Sequence, residues 1–162
     1  MTQTTLHLLC GLPGTGKTTF ARKLEGERKA VRFTHDEWMH RLYGDNLPAD
    51  QFQVYHERVS TLIWDYTERL IAFGVDVILD FGFWKKKARQ EAVDRAKILG
   101  VTPILYKFTC PQAEANRRVL ERNKTLPKDS LVIDEHALKV FARMFEPIED
   151  HEECVEVTAV DK

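Results

Sequence analysis

Apolar and polar positions alternate between two periods along this chain. Short apolar or β-branched runs occur at Thr5–Cys10 (TLHLLC), Ala30–Thr34 (AVRFT), Val75–Asp80 (VDVILD), Thr102–Phe108 (TPILYKF) and, more weakly, Cys154–Thr158 (CVEVT). Each has the length of a buried strand. Between them, segments of helical period run over Lys17–Leu24, Glu37–Tyr43, Gln51–Phe73, Lys85–Leu99, Pro111–Asn123 and Asp134–Phe145. Gly74 and Gly100 close two of these and Pro111 opens another, the usual punctuation of helix ends. Strands that alternate with helices predict right-handed crossovers and a parallel sheet covered on both faces. Ligands of such folds sit beyond the carboxyl ends of the strands.

At the first of those ends stands CGLPGTGKTTF. Gly11, Gly16, Lys17 and Thr18 satisfy G-x-x-x-x-G-K-[ST] between a predicted strand and a predicted helix, the context a P-loop requires. Glycines let successive N–H groups turn toward phosphate oxygens, the helix terminus adds positive potential, and the lysine neutralises the β- and γ-phosphates. Gly11, Pro13, Gly14, Thr15, Gly16, Lys17, Thr18 and Thr19 are therefore the candidate nucleotide-binding residues, with the Thr18 hydroxyl directed at Mg²⁺. A merely Gly-rich turn would explain the glycines but not the Lys-Thr that follows.

Asp80, at the end of VDVILD, stands where a Walker-B carboxylate holds magnesium. Phe81 follows it, where many hydrolysing P-loop proteins carry a glutamate to activate water. The Asp-Phe-Gly at 80–82 has no His-Arg-Asp partner in the chain, so a protein kinase is excluded. Asn123-Lys124-Thr125-Leu126 lacks the aspartate with which GTPases read guanine, which favours ATP. Asp36, just past the second strand in RFTHDEWMHRLYG, suits a general base for an alcohol and equally suits a helix N-cap. His35 beside it reads as structural. Arg118 and Arg122 are four apart on one helix face, and the adjoining KTLPKDS, Lys124–Ser130, suggests a lid over about 117–133; a solvated helix face is the alternative. WKKKAR, Trp84–Arg89, puts three lysines in a first helical turn, against the helix dipole, which is compatible with a nearby anion, although a solvated surface is the favoured reading.

Composition narrows the partners. The 162 residues are 43% apolar and 30% charged, suited to one globular domain with a real core. Lys and Arg total 24 against 25 Asp and Glu, so bulk charge supports neither nucleic-acid nor membrane-surface binding. Cys10, Cys110 and Cys154 are odd in number and widely spaced, as in reduced cytoplasmic proteins. His7 with Cys10 and His151 with Cys154 have metal spacing but no companion pair. The N-terminus has no signal-peptide pattern and no apolar run could span a bilayer.

GLPGTGKTT, HDEWMHRLYG, LDFGFW with basic residues after it, RRVLERN and FEP, in that order, resemble the AAA-type P-loop family of small kinases related to zeta toxins, chloramphenicol phosphotransferase and polynucleotide kinase. The resemblance covers most of the chain. It implies one P-loop kinase-like domain over 1–162, with a five-stranded parallel sheet of order 2-3-1-4-5, helices on both faces and a small lid. It also implies Asp36 as general base, Arg118 and Arg122 as phosphate-covering arginines, and ATP with Mg²⁺ as cofactors. Polynucleotide kinases carry arginine three residues after that aspartate, where this chain has Met39 and places Arg41 two positions later. The expected activity is transfer of the γ-phosphate of ATP to a hydroxyl of a small molecule. The alternatives are a 5′-hydroxyl nucleic-acid kinase and a nucleotide-dependent regulatory ATPase without an acceptor. The segment Glu37–Gly74 would form the acceptor side, with Trp38, Tyr43, Phe52, Tyr55, Trp64 and Tyr66 divided between packing and a pocket.

Overall fold

The computed structural model describes residues 3–126 and 131–158. The elements follow in the order β1 (Thr5–Cys10), α1 (Lys17–Arg28), β2 (Val31–Thr34), α2 (His35–Tyr43), α3 (Phe52–Ala72), β3 (Val77–Gly82), α4 (Lys86–Ile98), β4 (Thr102–Thr109), α5 (Gln112–Thr125), α6 (Glu135–Met144) and β5 (Val155–Thr158). All five strands pair in parallel, in the order β2-β3-β1-β4-β5.

The strands read as apolar runs because the sheet is covered on both sides. Leu6, Leu8 and Cys10 of β1, with Val77 and Leu79 of β3, pack beneath Val59 and Ile63 of α3 and Ala92 and Ala96 of α4. The intervening Leu9 and Ile78 face the other way, onto Ala21 and Leu24 of α1. Each fully buried leucine of β1 contributes about 2 kcal/mol of transfer free energy. The edge strand β5 has no comparable burial; its place depends on pairing with β4 and on the charged clasp described below.

Several boundaries move for local reasons. β3 starts two residues later than the sequence predicts, because the Val75 N–H bonds to Leu70 O and closes α3 in a turn through Gly74, at φ 75°. Asp76 then receives the Thr5 N–H at 2.8 Å. Helix α1 continues past Leu24 to Arg28 and stops at Lys29, in the left-handed region. Helix α2 begins at His35, immediately after β2, so Asp36 lies inside its first turn and is not its N-cap. The cap position belongs to Thr34, whose hydroxyl is used elsewhere. Among the described residues, no helix is long and apolar enough to cross a membrane.

Candidate active site

The cleft lies beyond the carboxyl ends of β1, β2 and β3, where Pro13 through Thr19 form one wall. The loop reverses the chain between Cys10 and Lys17 by way of two left-handed glycines, Gly14 at φ 80° and Gly16 at φ 92°. Thr15 Oγ1 donates to Leu12 O at 2.7 Å, and Lys17 Nζ donates to the same carbonyl at 2.8 Å. Gly11 does not line the cleft; it is buried behind the loop, where its N–H bonds to Gly82 O at 2.9 Å and its carbonyl receives Trp84 Nε1 at 3.1 Å. The loop is thereby fastened to the strand that carries Asp80.

Register fixes the carboxylates. Thr34 of β2 lies opposite Asp80 of β3, so the residues just past Thr34 emerge beside Asp80. Asp80 is buried, and its Oδ2 accepts from Thr18 Oγ1 at 2.8 Å and from Thr34 Oγ1 at 3.1 Å. Arg32 in turn donates to Thr34 Oγ1 and is held by Glu25 and Glu37, each at 3.1 Å. Thr18 and Asp80 present hard oxygen donors side by side at the loop's end, a donor set that fits Mg²⁺.

Asp36 is an exposed side chain of the first turn of α2 and opens onto the same cleft. The protein around the cleft partly desolvates its carboxyl and raises it above the ordinary aspartate range, an effect its exposure moderates; the Asp80 charge adds to this, while Lys17 and Arg122 pull the other way. Burial likewise lowers the Lys17 ammonium, against the attraction of Asp80 and Asp36. The four groups thus act on one another across a single site.

Helix α5 supplies the arginines. Arg117, Arg118 and Arg122 all border the cleft, and Arg117, the exposed one, is paired to Glu114 and Glu121. Arg118 Nε is engaged by Glu114 at 2.8 Å, and the Arg117 and Arg118 guanidiniums hold that carboxyl down to about 2. Arg122 differs: its Nε is buried with no hydrogen-bond partner among the described residues. It is the arginine with a donor still to satisfy. Asn123 bridges the following loop at its base, donating to Ile133 O at 2.7 Å and accepting from Ile133 N at 3.3 Å. Of the loop expected as part of a lid, Pro127–Ser130 lie outside the described residues.

Lys85 and Lys86 at the start of α4 are neither simply solvated nor aimed at a ligand, because the protein supplies the anions itself. Glu146 Oε2 accepts the Lys86 N–H at 2.7 Å and pairs with Lys85 at 3.3 Å, and Glu149 pairs with Lys86 at 2.6 Å. Arg89 is buried at 1% exposure, bidentate to Glu152 at 2.7 and 2.9 Å, and donates to the carbonyls of Phe83 and Glu146. It therefore braces the segment after Asp80 and does not face the cleft.

The acceptor side was less legible. Trp38 packs on Phe33 and Tyr43 stacks on Tyr55, whereas Phe52 and Trp64 reach the cleft. Tyr66 is exposed, beneath Arg69. Sequence reasoning passed over His56 and Ser60 and saw in Phe81 only the lack of a glutamate, yet all three line that side together with His35. Their only sequence signal is the spacing of His56, Ser60 and Trp64 by four, one helix face. Met39 is buried in the core at 3% exposure, so that position directs no group into the cleft. Among the described residues, no group of three metal-ligating side chains assembles around a cysteine or histidine pair.

Comparison with known proteins agrees with this geometry. No curated protein matches the sequence. Among solved structures, a protein of Chloroflexus aurantiacus J-10-fl provisionally named a kinase superposes with a TM-score of 0.76 at 16% identity, over 97% of this chain and 89% of that one. The APS kinase CysC of Mycobacterium tuberculosis, solved with AMPPNP and APS, gives a TM-score of 0.65 at 15% identity, over 100% and 92%. A chain of the Pnkp1/Rnl/Hen1 RNA repair complex gives 0.71 at 22% identity, over 89% of this chain and 44% of that one, so this chain spans less than half its length. These likenesses establish the fold as that of P-loop kinases. The family profile described as an AAA domain matches residues 6–148, nearly the whole sheet and its helices, and the chain therefore belongs to that family of P-loop, kinase-like proteins.

Proposed function

We propose that this protein is an ATP-dependent phosphotransferase that moves the γ-phosphoryl group of ATP to a hydroxyl of a small-molecule acceptor. One P-loop domain over 1–162 would carry the reaction. The observation that supports this most is the pairing of Thr34 with Asp80 across β2 and β3, which sets two carboxylates of different character beside Lys17. Asp80 is buried and bound by two threonine hydroxyls, as suits a residue that holds Mg²⁺ with Thr18. Asp36 is open to the cleft and raised in pKa, which brings its basicity closer to neutral pH.

The acceptor oxygen attacks the γ-phosphorus, the bond from that phosphorus to the β-bridging oxygen breaks, and ADP leaves. Asp36 Oδ takes the acceptor's proton. Mg²⁺, when bound, offsets charge on the β- and γ-phosphate oxygens. The loop N–H groups and Lys17 cradle the phosphates, and Arg118 and Arg122 meet the charge on the group in flight. Phe81 in place of an acidic residue disfavours activation of water, and buried Met39 disfavours a polynucleotide-type contact. The three free cysteines support a reducing, cytoplasmic setting.

The test is incubation with γ-labelled ATP, Mg²⁺ and pooled alcohols, sugars, antibiotics and 5′-hydroxyl oligonucleotides. Label on a small organic acceptor is the expected result. Label on oligonucleotides alone would make it a nucleic-acid kinase, and label released only as phosphate would make it a regulatory ATPase.

A further inference from the structure

In the same cleft as Asp36, α3 presents a polar seat that the phosphate chemistry does not use. His35 is 4% exposed, and its Nε2 lies 3.1 Å from His56 O and 2.9 Å from Ser60 Oγ. A carbonyl only accepts, so Nε2 carries the hydrogen and shares it between the two oxygens. Ser60 Oγ therefore acts as acceptor toward His35, and its own hydroxyl hydrogen is left to point at a ligand. His35 Nδ1 is buried without a partner among the described residues, which agrees with an unprotonated Nδ1 in the Nε2–H tautomer. Burial pushes its pKa down to about 4 and lowers that of His56 as well, so neither ring supplies a fixed cation at neutral pH.

The walls of this seat are aromatic. His56 stacks on His35 with ring centroids 3.9 Å apart, Phe81 meets His35 edge-on at 5.4 Å, and Phe52 lies 5.8 Å from His56. Trp64 continues the wall one helical turn beyond Ser60, with Arg95 lying over its ring at 4.7 Å. Further out, the cleft is bordered by Asp65, Glu91 and Asp94. Among the described residues, the cations on this side are Arg95, over the Trp64 ring, and Lys85, paired to Glu146. The other cations that border the cleft, Lys17, Lys23, Arg117, Arg118 and Arg122, come from the P-loop, α1 and α5.

Resting on the phosphotransferase reading, we infer that the acceptor is a ring-bearing alcohol without phosphate or carboxylate groups, seated against His56, Trp64 and Phe81, and that Ser60, oriented by His35, positions its hydroxyl toward Asp36. Aromatic walls bury the ring's apolar faces. A hydroxyl that both donates and accepts suits Ser60, and an anionic acceptor would meet three carboxylates, Asp65, Glu91 and Asp94, against the one guanidinium of Arg95 held over Trp64.

The test uses the full chain, γ-labelled ATP with Mg²⁺, and a protein-free metabolite extract separated by ion exchange at pH 7 into cationic, neutral and anionic fractions. Label transferred to a compound of the neutral or cationic fraction supports the inference, and label transferred only in the anionic fraction overturns it. Release of label to water alone in every fraction overturns the phosphotransferase reading itself. With the acceptor so found, Ser60→Ala is expected to raise the acceptor's KM about tenfold without moving the KM for ATP, the scale of one lost hydrogen bond. Ser60→Thr, which keeps the hydroxyl, restores most of it. An unchanged acceptor KM in folded Ser60→Ala removes Ser60 from that role.

Discussion

Gly14 of the P-loop lies so close to Ala115 of α5 that a β-carbon added to it would sit 2.2 Å from the Ala115 carbonyl oxygen and 2.9 Å from Val119 Cγ2. The phosphate loop and the helix that carries Arg118 and Arg122 are thus packed backbone to backbone, and the distance between them is set by the absence of one methyl group.

Gly14→Ala should therefore damage two things at once. The loop would have to abandon φ 80°, and α5 would have to move away. Overpacking and left-handed strain together cost about 2 to 5 kcal/mol. A lower thermal midpoint with loss of ATP binding by calorimetry is expected; Gly16→Ala, also at positive φ but with open space around it, should perturb stability less.

Asp36→Asn separates charge from fold. Because α2 starts at His35, the substitution removes no helix cap. The carboxyl pKa is raised in the folded state, so this group's contribution favours folding at low pH and becomes a liability as pH rises past that pKa. The asparagine variant should match or exceed the parent's stability at neutral pH. Transfer should fall by roughly 10² to 10⁴, the usual loss of a general base. In the parent, the acid limb of kcat/KM should lie above the ordinary aspartate range, because only the carboxylate accepts a proton.

Asp80→Asn keeps the size of the side chain but removes the charge beside Thr18. ATP binding without metal should persist, and transfer should need a higher Mg²⁺ concentration to reach a lower maximum. A titration of activity against free Mg²⁺ reads both effects, and an unaltered Mg²⁺ dependence would leave Asp80 only its hydrogen bonds to Thr18 and Thr34.

His35 makes the fold acid-sensitive. Its folded pKa, about 4, lies below the ordinary value of 6.5, so the unfolded chain binds the extra proton between those limits and stability is lost as pH falls through them. The full effect is about 3 kcal/mol. Urea midpoints at pH 7 and pH 4.5 should converge in His35→Gln relative to the parent, whose His56 titrates in the same direction.

The P-loop, Asp36 and Asp80 were legible in the sequence because each stands at a strand end, where chain direction alone decides what meets at the rim. The strand order was implied by resemblance, since pairing β3 between β2 and β1 depends on long-range packing that no local pattern records. Arg89 shows the limit most clearly. In sequence it belongs to a basic cluster at a helix start, yet in space it is the most thoroughly buried charge of the described chain, because its partner Glu152 lies 63 residues away. His56 and Ser60 were missed for the opposite reason: they look like ordinary positions on a long helix until α2 places His35 against them.

The clasp between Arg89 and Glu152 also bears on where the functional unit ends. The family match stops at residue 148, after every residue assigned to phosphate chemistry. A fragment trimmed there would retain the whole catalytic inventory but would strand the Arg89 guanidinium in the interior without Glu152 and strip β5 from the sheet edge. Leaving a buried charge unpaired costs about 3 to 5 kcal/mol, a large share of what a chain of this size has in reserve. The segment from Glu149 through β5, though it carries no residue of the phosphate chemistry, thus belongs to the smallest piece worth expressing.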